Sequence, residues 1–265
     1  MARLALVLVL GALLVAPTAR AAPAATRTDG VYLVRGEKVG VAHRTVPATT
    51  GVARAAMLQL LRGPTAAERA AGLLTTIPSG TKLLGVSVSG GVASVNLSRR
   101  FESGGGSLSM MLRIGQVVHT LTQFPTVKQV KFLLDGVAVE AIGGEGIIVS
   151  PPIDRTDVEG VAPAILVESP AVGDTVSSPL RVRGTANTFE ASLTLRVKNE
   201  SGGFLVTRDI QATSGTGTRG TFSTTLRFTP PAGSTRVQLV AFERSARDGR
   251  PIHRVRIWLP LTSPS

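Results

Sequence analysis

Residues 77–98 read IPSGTKLLGVSVSGGVASVNLS, and their pattern decides the fold of the first half of the chain. Val86 and Val88 alternate with Ser87 and Ser89; beyond Gly90-Gly91, Ala93, Val95 and Leu97 alternate with Ser94 and Asn96. Period-two alternation on both sides of a two-residue glycine link predicts a β-hairpin, because a tight turn needs positive φ and glycine supplies it without a Cβ clash. One face is aliphatic and the other Ser/Asn, so one side packs while the other meets water. That apolar face needs a cover.

Helical segments on either side can supply it. Upstream, residues 52–62 place Val52, Ala55, Met57, Leu58 and Leu61 on an approximate stripe, with Thr50 as the expected N-cap and Gly63-Pro64 as the stop. Thr65 and Glu68 then have capping-box spacing and open a short helix that Gly72 closes. Downstream, Gly104-Gly105-Gly106 reads as a flexible join, since no P-loop Lys-Ser/Thr follows it. Ser107 is the expected cap of a helix over 107–124, with Leu108, Met111, Leu112, Gly115, Val118 and Thr122 inward. Strands are expected at 30–34, 38–44, 127–134 and 137–141, the last two joined by Asp135-Gly136. These elements predict an α/β sandwich with antiparallel hairpins and a crossover helix.

The second half differs. Residues 150–163, SPPIDRTDVEGVAP, hold three Pro and two Asp and read as a surface linker. Short aliphatic strands follow at 164–168, 180–184, 192–198, 204–210, 221–228, 236–242 and 253–259, a rhythm that predicts an immunoglobulin-like β-sandwich. Its expected core is Leu195, Val197, Phe222, Leu226, Val237 and Leu239. The fold class expected for the whole chain is α+β, in segments 1–22 (targeting), 23–29 (linker), 30–145, 146–162 (linker), 163–261 and 262–265 (tail).

The targeting segment has Arg3, an apolar run over 4–16 and Ala19-Arg20-Ala21 as a small-x-small site. The run is shorter than the roughly 20 residues a span needs, which favours a signal peptide over an uncleaved N-terminal membrane anchor. With no Cys in 265 residues, neither disulfides nor cysteine-linked lipid are available, so the chain is not a lipoprotein. Only 4% of residues are aromatic, so the cores are aliphatic and need no cofactor. The net charge of +12 is scattered: residues 23–150 hold 13 basic and 7 acidic side chains, and residues 151–265 hold 14 and 10. A nucleic-acid binder would gather charge into a stripe. Scattered charge on an exported chain points instead to anionic lipid or acidic wall polymer.

No catalytic, metal or cofactor site assembles from motifs. His43, His119 and His253 lack ligand partners at metal spacing. His119 reads as a polar residue whose charge suits a helix end, and His43 and His253 as strand residues at the surface. Residues 215–220 match GxGxxG without a following helix, so they read as a β-loop. Asp154, Asp157 and Glu159 lack EF-hand spacing. One surface candidate stands out: around Val255, Ile257 and Leu259, the alternation turns Arg254, Arg256 and Trp258 outward, a composition enriched at binding hot spots. Alternatively Trp258 covers the linker or the neighbouring domain.

The blocks YLV at 32–34, LLRGPT at 60–65, Glu68, IPSGT at 77–81, VNLS at 95–98 and HTLTQFPTVKQVKFLLDG at 119–136 make residues 30–145 resemble the GerM-type domain of sporulation and germination proteins. Residues 165–193 with GTFSTTLRF at 220–228 and AFERSARDGR at 241–250 resemble the immunoglobulin-like module of bacterial spore-germination proteins, over about 163–261. The resemblance implies an extracytoplasmic, non-catalytic module of envelope assemblies, with other envelope proteins as partners. Two alternatives stay open: a module binding peptidoglycan or acidic wall polymer, and a hydrolase with a dispersed site around His119 or His253.

Overall fold

The computed structural model describes residues 25–262; the expected targeting segment lies outside them. β1 (Thr26–Arg35) and β2 (Lys38–Pro47) form an antiparallel hairpin. The pairing begins at Thr26↔Pro47, so residues 26–29, expected as linker, are strand. α1 (Val52–Leu61) follows, then α2 (Ala66–Ala70). The decisive hairpin forms as read: β3 (Leu83–Ser89) pairs with β4 (Val92–Leu97) through Gly90 and Gly91, both at positive φ. Ala93, Val95 and Leu97 are fully buried, whereas Val88 on the edge strand β3 is 42% exposed. α3 (Ser107–Leu121) is the crossover that returns the chain to β5 (Gln129–Leu134), parallel to β4, and β6 (Val137–Ala138) completes the order β3-β4-β5-β6.

The helices depart from expectation in detail. α1 is preceded by Gly51 with no side-chain cap, not by Thr50, and its buried stripe is Ala53, Ala56, Met57 and Leu60. Both stripes have helical spacing; contact with β1, β3 and α3 selects this one. Ser107 is inside α3, behind Gly106, and gives no cap bond. Leu108 is 46% exposed, while every residue from Leu112 to Leu121 is buried. From Leu112 onward α3 is buried all round because it lies among α1, the β1–β2 hairpin, β5 and the connecting segment. Polar side chains on α3 and just beyond its end cover the free edge of β1: the Gly30 N–H donates to Gln123 Oε1 (2.8 Å), the Tyr32 N–H to Thr120 Oγ1 (3.2 Å), and Gln116 Nε2 to the Tyr32 carbonyl (3.3 Å). An open strand edge is thereby paired by side chains.

The capping box is present. The Glu68 N–H donates to Thr65 Oγ1 (3.2 Å) and the Thr65 N–H to Glu68 Oε2 (2.7 Å). Arg44 from β2 then grips Glu68 through two bonds of 2.8 and 2.6 Å and donates to the carbonyls of Gln59 and Gly63. The triple glycine is no loose join. Buried Arg113 donates to the carbonyls of Phe101 (2.8 Å), Ser103 (3.0 Å) and Gly104 (2.6 Å), so the loop wraps its own guanidinium. A Cβ on Gly105 would lie 2.8 Å from Arg113 Nη2, which excludes larger residues there.

β7 (Ala141–Ile142) and β8 (Ile147–Ile148) form a small hairpin. Beyond it come β9 (Ile165–Ser169), β10 (Leu180–Ala186), β11 (Ser192–Lys198), β12 (Phe204–Gln211), β13 (Gly220–Leu226), β14 (Arg236–Arg244) and β15 (Pro251–Pro260). They make two antiparallel sheets, β13-β10-β9 and β12-β11-β14-β15, whose inner faces hold Leu195, Val197, Phe222, Leu226, Val237 and Leu239, all buried. The class is thus mostly β with few helices, α+β then all-β.

The connection between the halves packs instead of skirting the surface. Ile153 bridges Val130 of β5, and Val158 and Val161 are buried in a core that continues from the first half into the second. A short 3₁₀ turn, Glu159–Val161, lies on α3 at Gly115. A Cβ there would meet Val161 Cγ2 at 2.7 Å. The halves also meet at β2, where the His43 N–H donates to the Val172 carbonyl (2.7 Å), and a Cβ on Gly173 would fall 2.4 Å from the His43 carbonyl oxygen. Gly115→Ala is expected to destabilise the chain by about 1–3 kcal/mol through overpacking, despite the better helix propensity of alanine. Denaturant unfolding checks it: the loss should shrink in a Val161→Ala background, and equal losses in both would refute the contact.

Candidate interaction surface

Where α3, β1 and the connection converge, ionisable groups are spent on joining the halves. Buried Tyr32 donates its hydroxyl to Glu168 Oε1 (2.6 Å), and Arg155 donates to the same oxygen (2.7 Å) and to Thr122 Oγ1 (2.9 Å). Burial, and then the neighbouring Glu168 carboxylate, push the Tyr32 phenol up. Glu159 receives Arg219 through bonds of 2.8 and 2.9 Å and also accepts from Asn187 (3.0 Å), so it is committed to an ion pair, not to a cation loop with Asp154 and Asp157. Burial raises the Glu159 carboxyl, but the Arg219 and Asn187 bonds outweigh it and hold it below its ordinary value.

The histidines fall into three environments. His119 is 1% exposed, its ring centroid 5.3 Å from that of Tyr32, and neither ring nitrogen has a hydrogen-bond partner among the described residues. Burial, then the positive charges of Arg155 and Arg219, hold its pKa well below the ordinary value. It is a neutral core ring, not a charge at a helix end. His43 is not a free surface residue: its Nδ1 pairs with Asp174 Oδ2 at 2.8 Å across the two halves. His253 does lie at the surface, its side chain 53% exposed, with Nδ1 2.7 Å from Glu243 Oε2. None of the three rings hydrogen-bonds a hydroxyl among the described residues, the contact a nucleophile–base pair requires. An interdomain cleft of about 800 Å³ is lined by His43, Glu168 and Ser223 among others, and no hydrogen bond joins these three to one another.

The outer face of β12-β11-β14-β15 is different in character. Trp258 points outward, 43% exposed, with the Arg236 guanidinium 4.7 Å from its ring centre. On the same strand, the Arg256 carbonyl accepts from Arg35 of the first domain (3.0 Å). Arg254 and Arg256 share the face with Trp258, both exposed. The structure adds residues the sequence reading passed over. Phe204, 63% exposed, has Arg196 at 4.2 Å and Lys198 at 5.3 Å from its ring centre. Arg196 and Arg244 also lie near the ring of Phe242. The signal was present in SLTLRVK over β11, whose alternation sends Thr194, Arg196 and Lys198 outward as a set.

Fold and side-chain arrangement together define a two-part, mostly β protein whose partly buried charged groups help join its halves. Residues 11–140 match the family described as "Germane: Sporulation and spore germination", and residues 164–250 match "Gmad2: Immunoglobulin-like domain of bacterial spore germination". The chain carries these two domains in that order, as its sequence blocks implied. Among solved structures, the first GerMN domain of the sporulation protein GerM from Bacillus subtilis is 19% identical, covering 49% of this chain and 98% of that one with a TM-score of 0.40. The tandem GerMN domains of the same protein are 16% identical, covering 71% of this chain and 62% of that one with a TM-score of 0.43. No curated protein matches the chain.

Buried His119 sets a pH dependence. Its pKa is depressed in the folded state, so the unfolded chain binds more protons below the ordinary value of 6.5. Stability is therefore retained above that pH and declines as pH falls through it, by up to about 1.4 kcal/mol per pH unit. Urea titrations of the wild type and His119→Leu should diverge in slope as pH drops below neutrality. Parallel curves would contradict a buried neutral imidazole.

Proposed function

We propose that the chain is an exported cell-envelope protein that acts by binding other proteins, as a non-catalytic scaffold within a sporulation- or germination-type assembly. The observation that carries this reading is the division of labour among charged side chains. Tyr32, His43, Arg155, Glu159, Glu168 and Arg219 are bound to one another or to neighbours between the halves, while the outer sheet face stays cationic and aromatic. The apolar run at 4–16, with its small-x-small site, supplies the address. Among the described residues no helix is long and apolar enough to cross a membrane.

Fractionation and crosslinking of a tagged full-length copy test the reading. The chain is expected in the envelope or extracytoplasmic fraction, crosslinked to a reproducible set of envelope proteins. Recovery from the cytosol alone would overturn it. So would turnover of a defined substrate by purified protein, abolished by replacing one side chain.

A further inference from the structure

The outward residues of the four-stranded sheet line up in rows across it. One row runs Phe204, Lys198, Gln238, Trp258, from edge strand β12 to edge strand β15. The next runs Thr207, Arg196, Val240, Arg256. Three strand intervals of about 4.8 Å put the two exposed aromatic residues about 14 Å apart, with the cations between and beside them. Arg236, Arg244 and Arg254 extend the positive field. Against it stand Asp209, whose carboxylate accepts from Thr194 (2.5 Å), and Glu200, which is occupied by Thr235 and Arg236 at the sheet end. Like charges crowded on one open face repel one another, so the face gains most from a ligand that brings repeated negative charge.

The rings narrow the class. Guanidinium groups from the same sheet lie beside the exposed rings of Phe204 and Trp258, so each ring stands among charges and not in the continuous apolar patch that lipid anchoring uses. Flat aromatic surfaces at both ends of a cationic row suit a chain of rings that also carries acids. We propose that this face binds an acidic polysaccharide, sugar rings lying against Phe204 and Trp258 and carboxylates taken by Lys198, Arg196 and Arg256. The row length accommodates several sugar units. This inference rests on the export part of that reading and goes beyond it: it assigns this one face to a polysaccharide, separate from the surface that holds protein partners.

Trp258 is the single tryptophan of the chain, so its fluorescence reports on the face directly. Titrating the full chain with polygalacturonate should change that fluorescence saturably, with affinity falling as salt is added, while neutral dextran has no effect. Lys198→Glu with Arg256→Glu should weaken binding about tenfold or more and Phe204→Ala about fivefold, whereas Arg54→Glu on α1 should leave it unchanged. Should the doubly reversed chain fail to fold, Trp258→Ala measured by calorimetry takes its place. Absence of binding by the folded chain would overturn the proposal, as would unchanged affinity in the folded variants. Equal or tighter binding of polyphosphate, single-stranded DNA, an acidic peptide or anionic phospholipid vesicles would overturn it too and reassign the face. A negative titration with envelope crosslinks intact sinks only this proposal; cytosolic recovery sinks the reading beneath it.

Discussion

The close approach of the connecting segment to α3 is the contact on which the arrangement of the two halves depends. A residue without a side chain at Gly115 lets Val161 sit against the helix backbone, and that seat carries the hydrophobic core from the first half into the second. Burying side chains such as Ile114, Val117, Val118, Val158 and Val161 is worth roughly 1.5–3 kcal/mol each. Together that outweighs the desolvation of the few polar groups trapped beside them. The halves therefore meet through shared core, and the β2–Val172 pairing and the Tyr32–Glu168–Arg155 bonds add direction to a contact whose strength is apolar.

Polar groups in this environment are handled in two ways. Most find partners: Arg113 donates through its terminal nitrogens to loop carbonyls, Arg44 and Glu68 tie α2 to β2, and Gln116, Thr120 and Gln123 cover the edge of β1. His119 lacks a partner on both ring nitrogens, and it is kept neutral because ionising it would place an unpartnered charge beside Arg155 and Arg219. Its uncharged imidazole stacks obliquely with Tyr32 and behaves as a flat, mostly apolar filler. The same low-dielectric surroundings that strengthen the Arg155–Glu168 pair penalise protonation a few ångströms away.

This interior economy shapes what is left outside. With His43 paired, His119 enclosed and most buried carboxylates committed, much of the chemistry facing solvent on the second half is carried by rows of Arg, Lys and aromatic residues on one sheet. Those rows exist because an antiparallel sheet places side chains from sequentially distant strands a few ångströms apart on a common plane. Phe204, Lys198 and Trp258 are far apart in the chain and neighbours in space.

Local pattern was enough for most elements, though not for the β7–β8 hairpin or for the end of the expected 137–141 strand at Ala138. The alternation around Gly90-Gly91, the Thr65–Glu68 box, the crossover helix and the seven strands of the second half were all legible, because each depends on residues a few positions apart. Outward placement of Arg254, Arg256 and Trp258 followed from the same period-two rule. What sequence could not decide depended on which surfaces meet. Two apolar stripes on α1 were equally helical until β1, β3 and α3 chose one, and α3 was read with one inner face although it is enclosed on all sides from Leu112 onward. The Pro- and Asp-bearing connection looked solvated because its few valines carry no periodicity, and His119 looked chargeable because nothing local announces burial. Registry across strands, which turns scattered cations into rows, is likewise a property of pairing. Sequence by itself determined most of the elements and their order; only the tertiary structure decided which side chains became core, which became bonds between the halves, and which remained free to bind, because burial is set by neighbours distant along the chain.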